Sequence, residues 1–196
     1  MKPIEELLEE FGGESDDVLL LIKEMASLVG YYRRLLDRSA LDALTGLPGA
    51  TSFREFVKDI ESRAATVGVI FFDVNDLKYY NDTKGHGSGD LLLQKAAESI
   101  HFICRDGVRG FRIGGDEFAV VITNCEEQTI DTLLSAWQEK LLELNAVDDG
   151  IHCSVAVGSA FASGEYSFSD ALKLADERMY ADKVRMKSKN SKNKKG

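Results

Sequence analysis

A chain of 196 residues has room for one domain of about 150 residues plus an extension, and 44% hydrophobic content with two prolines is globular rather than disordered. The charge is split: residues 183–196 hold seven Lys and Arg and no acid, which leaves −16 on residues 1–182 of a chain whose total is −9. So acidic a body excludes a broad nucleic-acid surface, which needs clustered cations. The early apolar run Val18–Ile22 stops at Lys23, far short of the roughly 20 residues of a membrane span, and no cationic leader precedes a cleavage site. Cys104, Cys125 and Cys153 show no CxxC spacing and read as reduced thiols rather than a disulfide or zinc framework. A cytoplasmic protein without a membrane span is the expectation.

Along the chain, a short amphipathic piece with Ile4, Leu7, Leu8 and Phe11 ends at Gly12-Gly13. Ser15-Asp16-Asp17 reads as a helix start, with Ser15 as cap and the acids complementing the dipole. Val18, Leu21, Met25, Leu28, Tyr32 and Leu35 then alternate spacings of three and four, a heptad seam of three repeats. Two readings stay open: a helix packed on its own domain, or a parallel coiled-coil dimerisation stalk. The turn-rich Leu44–Gly49 places a boundary near residue 40, giving an N-terminal helical segment over 1–39, a domain over 40–188 and a basic, disordered tail over 189–196.

Within the domain the pattern predicts a helix over 51–63 and a strand over Val67–Val74, whose unbroken apolar run suits burial on both faces. An Asn-, Asp- and Gly-rich loop follows, then a helix over 89–104 and strands over Val108–Ile113 and Glu117–Thr123 joined by Gly114-Gly115-Asp116. A helix over 126–144, a strand over 151–160 and a last helix over 168–185, capped by Ser167 or Ser169, complete the order. Helices and strands alternating around one hairpin predict an α/β sandwich with a mixed sheet.

The chemistry concentrates in two stretches. Asp73 ends a strongly apolar strand, and a buried unpaired carboxylate is costly, so it faces solvent or meets a cation. If the hairpin lies beside that strand, Asp73 and Asp116 converge. With a backbone carbonyl near Val74 they make a hard oxygen site suited to Mg2+; the alternative is two strand-end surface acids. Gly114-Gly115 supplies the positive φ of a tight turn, or clears space for a phosphate at the backbone N–H groups. In the segment from Asp73 to Asp90, a carboxylate suits the N1–H and N2–H2 donors of guanine, and an Asn amide can both donate and accept. Asn81 and Asp90 flank the loop that enters a helix, though plain turn chemistry accounts for the same residues. His86, with no second His nearby, reads as a hydrogen-bonding loop residue rather than a metal ligand. No Ser/His/Asp or Cys/His set stands out, so a protein nucleophile is not supported.

Taken together, Asp42–Pro48 (DALTGLP), the Asp73–Asp90 stretch, Arg112–Phe118 (RIGGDEF), Ser154–Gly158 (SVAVG) and Leu174–Lys183 (LADERMYADK) resemble the GGDEF-domain diguanylate cyclases over residues 40–188. The resemblance implies an α/β palm-like nucleotidyl-cyclase fold, with a central mixed or antiparallel sheet flanked by helices and an N-terminal helical extension. It implies two GTP condensed to cyclic di-GMP plus two pyrophosphates, with Mg2+ as cofactor and Mn2+ as its alternative. A homodimer brings two half-sites face to face. By position Asp73, the Val74 carbonyl and Asp116 are the metal ligands, Asp116 and Glu117 the signature acids, and Asn81 and Asp90 the guanine-reading pair. His86 is a further substrate contact, Gly114 and Gly115 border the substrate, and Lys78 and Lys183 face phosphate.

The sequence departs from the family in four places. The product-inhibition motif RxxD keeps Arg105 but has Val108 at its acid, so that brake is expected to be missing. Asn75 stands where Asp is frequent, and Gly49-Ala50 where Asn-Arg is usual. Met186-Lys187-Ser188 replaces Gly-Arg-Asn, leaving Lys187 with the charge but not the bidentate fork of Arg. The leading reading is an active cyclase; the alternatives are a catalytically inactive GTP- or cyclic di-GMP-binding module, or an enzyme making an adenine-containing dinucleotide, against which Asp90 argues. No sensor domain is recognisable, and the upstream sensor and downstream receptor stay unassigned.

Overall fold

The computed structural model describes residues 41–61, 64–164 and 167–193, together with residues 22, 23, 25, 27 and 28, each of them helical. The chain divides into two compact units, residues 1–40 and 41–196. In the first, Met25 and Leu28 are exposed; the remaining seam positions, the Ile4–Phe11 piece and the Ser15 helix start lie outside the described residues.

The second unit runs α1 (Ala50–Ile60), β1 (Thr66–Val74), α2 (Leu77–Lys84), α3 (His86–Ile103), β2 (Val108–Arg112), β3 (Glu117–Thr123), α4 (Glu127–Asn145), β4 (Val155–Ser163) and α5 (Phe168–Asn193). The described strands form one sheet in the order β2-β3-β1-β4. Every pairing in it is antiparallel, so the sheet is not mixed. β1 is central, and Val67 to Val74 are buried without a break.

The period of two along β1 sorts its side chains between two layers. Ile70, Phe72 and Val74 join Leu92, Ile100, Leu133 and Trp137 in the layer beneath α3 and α4. Val67, Val69 and Phe71 join Ile60, Phe111, Phe168, Ala175 and Met179 in the layer beneath α1 and α5. Phe72 anchors the first layer, its ring 4.9 Å from that of Trp137. The indole N–H of Trp137 is satisfied in the core by Ser99 Oγ at 3.0 Å. The same alternation sends Asp73, two residues after Phe71, to the α5 side.

Four expected boundaries move. The Asn- and Asp-rich loop contains a helix, α2, because Leu77 and Tyr80, one helical turn apart, both pack against the core. Tertiary packing here overrides weak local propensity. Next, α3 starts at His86 rather than 89. β4 begins at Val155 rather than 151, because Ile151–Cys153 is engaged by side chains instead of a ladder. Lys95 Nζ donates to Ile151 O (2.7 Å), and Asn145 closes two bonds with the Cys153 backbone (2.7 and 2.8 Å). Finally, α5 continues past 185 to Asn193, with Ser169 inside it and the Ser167 carbonyl accepting from Asp170 and Ala171. No Gly or Pro interrupts that stretch.

Candidate active site

The β2–β3 hairpin lies beside β1, and its register sets Glu117 opposite Asp73. The Val74 N–H donates to the Asp116 carbonyl at 2.8 Å, extending the ladder by one residue and bringing Asp116 to the end of β1. Asp73 is 4% exposed. Its Oδ2 accepts from Lys183 Nζ of α5 at 2.6 Å, while its buried Oδ1 has no hydrogen-bond partner. Burial outweighs Lys183 and, with Asp116 adding like charge, pushes the Asp73 carboxyl above the usual range. Burial does the same to Glu117, helped by Asp116, Asp73 and Asp176. Burial disfavours the Lys183 ammonium, yet its bond to Asp73 and the fields of Asp116 and Glu117 hold its pKa above the usual lysine value. Lys187, one turn further along α5, lowers the Asp73 pKa through its charge.

An orphaned buried carboxylate oxygen beside two further acids is an arrangement that a hard divalent cation would complete. Asp73, Asp116 and a strand-end carbonyl such as that of Val74 fit Mg2+, which takes few protein ligands. No group of three or more His, Cys, Asp or Glu side chains arranged to hold a metal occurs among the described residues.

The hairpin turn corrects the expectation for its glycines. Neither Gly114 nor Gly115 has positive φ. The Ile113 and Gly114 N–H groups both donate to the Glu117 carbonyl (2.9 and 3.2 Å), so the turn closes without left-handed backbone. The two glycines serve space instead. A Cβ on Gly114 would stand 2.5 Å from Glu117 Oε2, whereas one on Gly115 would meet nothing within 4 Å. Gly114 makes room for the Glu117 side chain, and Gly115 leaves the outer surface of the turn open.

Arg112 ties this turn to the start of the domain. It donates to Asp42 Oδ1 (2.9 Å) and to the Gly115 carbonyl (2.7 Å). Asp42 also accepts from Thr45 N–H and Oγ1 (2.9 and 2.7 Å), an Asx turn within DALT. Burial opposes the Asp42 charge, but Thr45 and Arg112 hold its pKa below the ordinary value. This clamp went unnoticed in the sequence because its partners are 70 residues apart.

Of the remaining expected residues, Lys78 and Asn81 sit on α2 and His86 and Asp90 on α3, with Lys78, His86 and Asp90 exposed. No side chain of α2 is fully buried. It is tied down by Tyr80, whose hydroxyl accepts from His152 N–H (3.1 Å) and reaches His152 O (3.4 Å), and by Lys84 Nζ on Gly150 O (2.6 Å). Asp76, just before it, has φ 63°. Two further residues escaped the sequence reading. Asp176 adds its field to Glu117 across a cavity of about 310 Å3 that both line. Gly89 lies against Asn81; because the sequence reading starts the helix at 89, this glycine looks like a helix start and gives no signal of its own.

Comparison with known proteins places the chain in a family. The family described as "Diguanylate cyclase, GGDEF domain" matches residues 39–189. The diguanylate cyclase DosC of Escherichia coli K12 is 29% identical over 176 residues, covering 86% of this chain and 37% of that protein. Diguanylate cyclase DgcP of the same strain is 33% identical over 156 residues, covering 76% and 46%. The chain thus spans less than half the length of either relative. Among solved structures, the coiled coil and GGDEF domain of DgcB from Caulobacter crescentus superposes with a TM-score of 0.67 at 22% identity, covering 87% of this chain and 95% of that one. The palm-like fold is therefore shared, and the chain belongs to the diguanylate cyclase GGDEF-domain family.

Proposed function

We propose that this chain is a diguanylate cyclase in which two copies, each carrying one GTP, form cyclic di-GMP. The observation that carries the proposal is the acidic end of β1 and β3, where Asp73, Asp116 and Glu117 meet under Lys183 with one buried oxygen unpaired. In each half-reaction the 3′-oxygen of one GTP bonds to the α-phosphorus of the other. The bond from that phosphorus to its bridging oxygen breaks, and pyrophosphate leaves with the electron pair. Asp116 accepts the 3′-hydroxyl proton, and Glu117 adds to the negative field beside it. Lys78, Lys183 and Lys187 offset triphosphate charge, and the open surface at Gly115 admits the phosphates to the hairpin. Asn81 and Asp90 select guanine, with His86 bordering the nucleotide. Bound at Asp73, Asp116 and the Val74 carbonyl, Mg2+ would neutralise developing phosphate charge. Positioning and charge neutralisation of this kind are what phosphoryl transfer asks of a protein.

One copy presents half a reaction centre, so turnover per copy rises with protein concentration; the heptad seam of residues 18–35 would hold two copies together. Val108 is 4% exposed and belongs to the core, and the Arg105 and Val108 backbones bond each other in both directions (3.1 and 2.8 Å). A buried aliphatic group offers guanine no acceptor, so product at micromolar concentration should not inhibit through this site. The deciding experiment is incubation of the purified protein with GTP and Mg2+. Cyclic di-GMP should form, and Asp116→Asn should reduce its formation more than 100-fold, on the scale of a lost electrostatic catalytic group, with circular dichroism unchanged. Nucleotide binding without any product from the unaltered protein would replace this reading with the binding-module alternative.

A further inference from the structure

The guanine assignment rests on two residues from different helices, Asn81 on α2 and Asp90 on α3. Something must hold the Asn81 amide at the start of α3, and the geometry there is specific. Gly89 is buried in the first part of α3, and a Cβ built on it would fall 2.0 Å from Asn81 Oδ1 and 2.8 Å from Asn81 Cγ. Since Cγ clashes as well as Oδ1, the conflict persists whichever way the amide is flipped. Leu77 Cδ1, from the preceding turn of α2, closes the remaining side at 3.1 Å. Gly89 has no positive φ to explain it, and alanine is the better helix former at an interior position. Local backbone energetics therefore favour replacing this glycine, and the space taken by Asn81 is what excludes any side chain.

We infer that Gly89 is a positioning residue for base selection: its bare Cα is the seat on which the Asn81 side chain rests, immediately before Asp90. The seat fixes the Asn81 amide at the turn that carries Asp90, so both groups face one base edge from a preset arrangement. A methyl group at position 89 swings Asn81 away while α3 itself persists. The ordering entropy of the Asn81 side chain is then taken from GTP affinity instead of being met in the fold.

This inference rests on the reading that Asn81 contacts guanine, and steady-state formation of cyclic di-GMP by full-length variants separates the two. Gly89→Ala should raise the KM for GTP about tenfold, the scale of one base-edge contact, while kcat changes less than about threefold and thermal stability is retained or rises. Asn81→Ala should raise KM similarly. The double variant Asn81→Ala/Gly89→Ala should be no worse than Asn81→Ala alone, because the amide that the methyl displaces is gone and only the end of the Leu77 side chain, at 3.1 Å, has to shift by a few tenths of an ångström. If Asn81→Ala raises KM but Gly89→Ala does not, or if the two effects multiply, the inference is overturned and the guanine assignment survives. If Asn81→Ala leaves KM unchanged, the guanine assignment falls and the inference with it. Should Gly89→Ala alone fail to fold, recovery of folding in the double variant supports the steric seat, and no recovery overturns it.

Discussion

The acidic end of the sheet and the short helix α2 face the same proposed substrate but are supported in opposite ways. Asp73 lies at the end of the buried strand β1, Glu117 starts β3 next to the buried Phe118, and a backbone bond from Val74 to Asp116 locks the hairpin turn to β1. Helix α2 has no fully buried side chain, starts after a left-handed Asp76, and is held by the polar ties of Tyr80 and Lys84 and the fit of Asn81 on Gly89. The acidic cluster is placed by core strands, whereas α2 is placed by the half-buried Leu77 and Tyr80 and a few polar contacts. Perturbing the first should therefore cost stability and activity together, and perturbing the second should cost affinity with the fold intact.

The most severe break is Phe72→Ala. Phe72 is fully buried against Trp137 directly before Asp73, so its loss should destabilise the protein by about 3–5 kcal/mol. Urea unfolding measures this; a loss under about 1 kcal/mol would mean that the core does not support the acids. Lys183→Met comes next. It leaves Asp73 with a buried unpaired charge at a cost of about 1–3 kcal/mol near neutral pH, and turnover should fall as well. The raised pKa of Asp73 gives the sign of its pH dependence. The carboxyl charges as pH rises above its folded pKa, so the destabilisation should be largest at neutral pH and shrink as the medium is acidified toward 4. A pH-independent loss would mean that Asp73 is not the group Lys183 serves.

Asp42→Asn tests the clamp on the hairpin turn. The lowered pKa of Asp42 means that its charged form contributes stability above pH 3.8, a contribution lost as pH falls through its lower folded value. The variant should be about 0.5–1.5 kcal/mol less stable at pH 7, with the gap closing in the acid limb of a pH titration. Tyr80→Phe should have the smallest effect on stability, under about 1 kcal/mol for a partly exposed hydroxyl, yet raise the KM for GTP severalfold as α2 loosens. Equal losses in kcat and KM terms for Tyr80→Phe would erase the distinction between the two regions.

The legible part of the site was the part written in contiguous residues. Asp73 at the end of VGVIFFDV and Asp116 after two glycines were readable because strand burial and turn chemistry act locally. Of the two roles the sequence offers for the hairpin glycines, positive φ is absent, and space is what they supply, at Glu117 and at the open turn. Helix α2 was hidden because its middle run Tyr79–Thr83 is made of weak helix formers, and packing of Leu77 and Tyr80 makes the helix worth forming.

The sequence by itself determined the α/β class, the order of most elements, the family and the inventory of acids and cations, because these follow from periodicity and from motifs within single segments. The tertiary structure alone decided that the sheet is antiparallel throughout, that Lys183 reaches across 110 residues to Asp73, that Arg112 ties the hairpin to Asp42, and that Gly89 carries Asn81. The Lys183 and Arg112 contacts join segments distant in the chain, and the Gly89 contact depends on how two successive helices are angled. Burial decides such meetings by asking which polar atom can reach which partner once both have left water, and no local pattern encodes that.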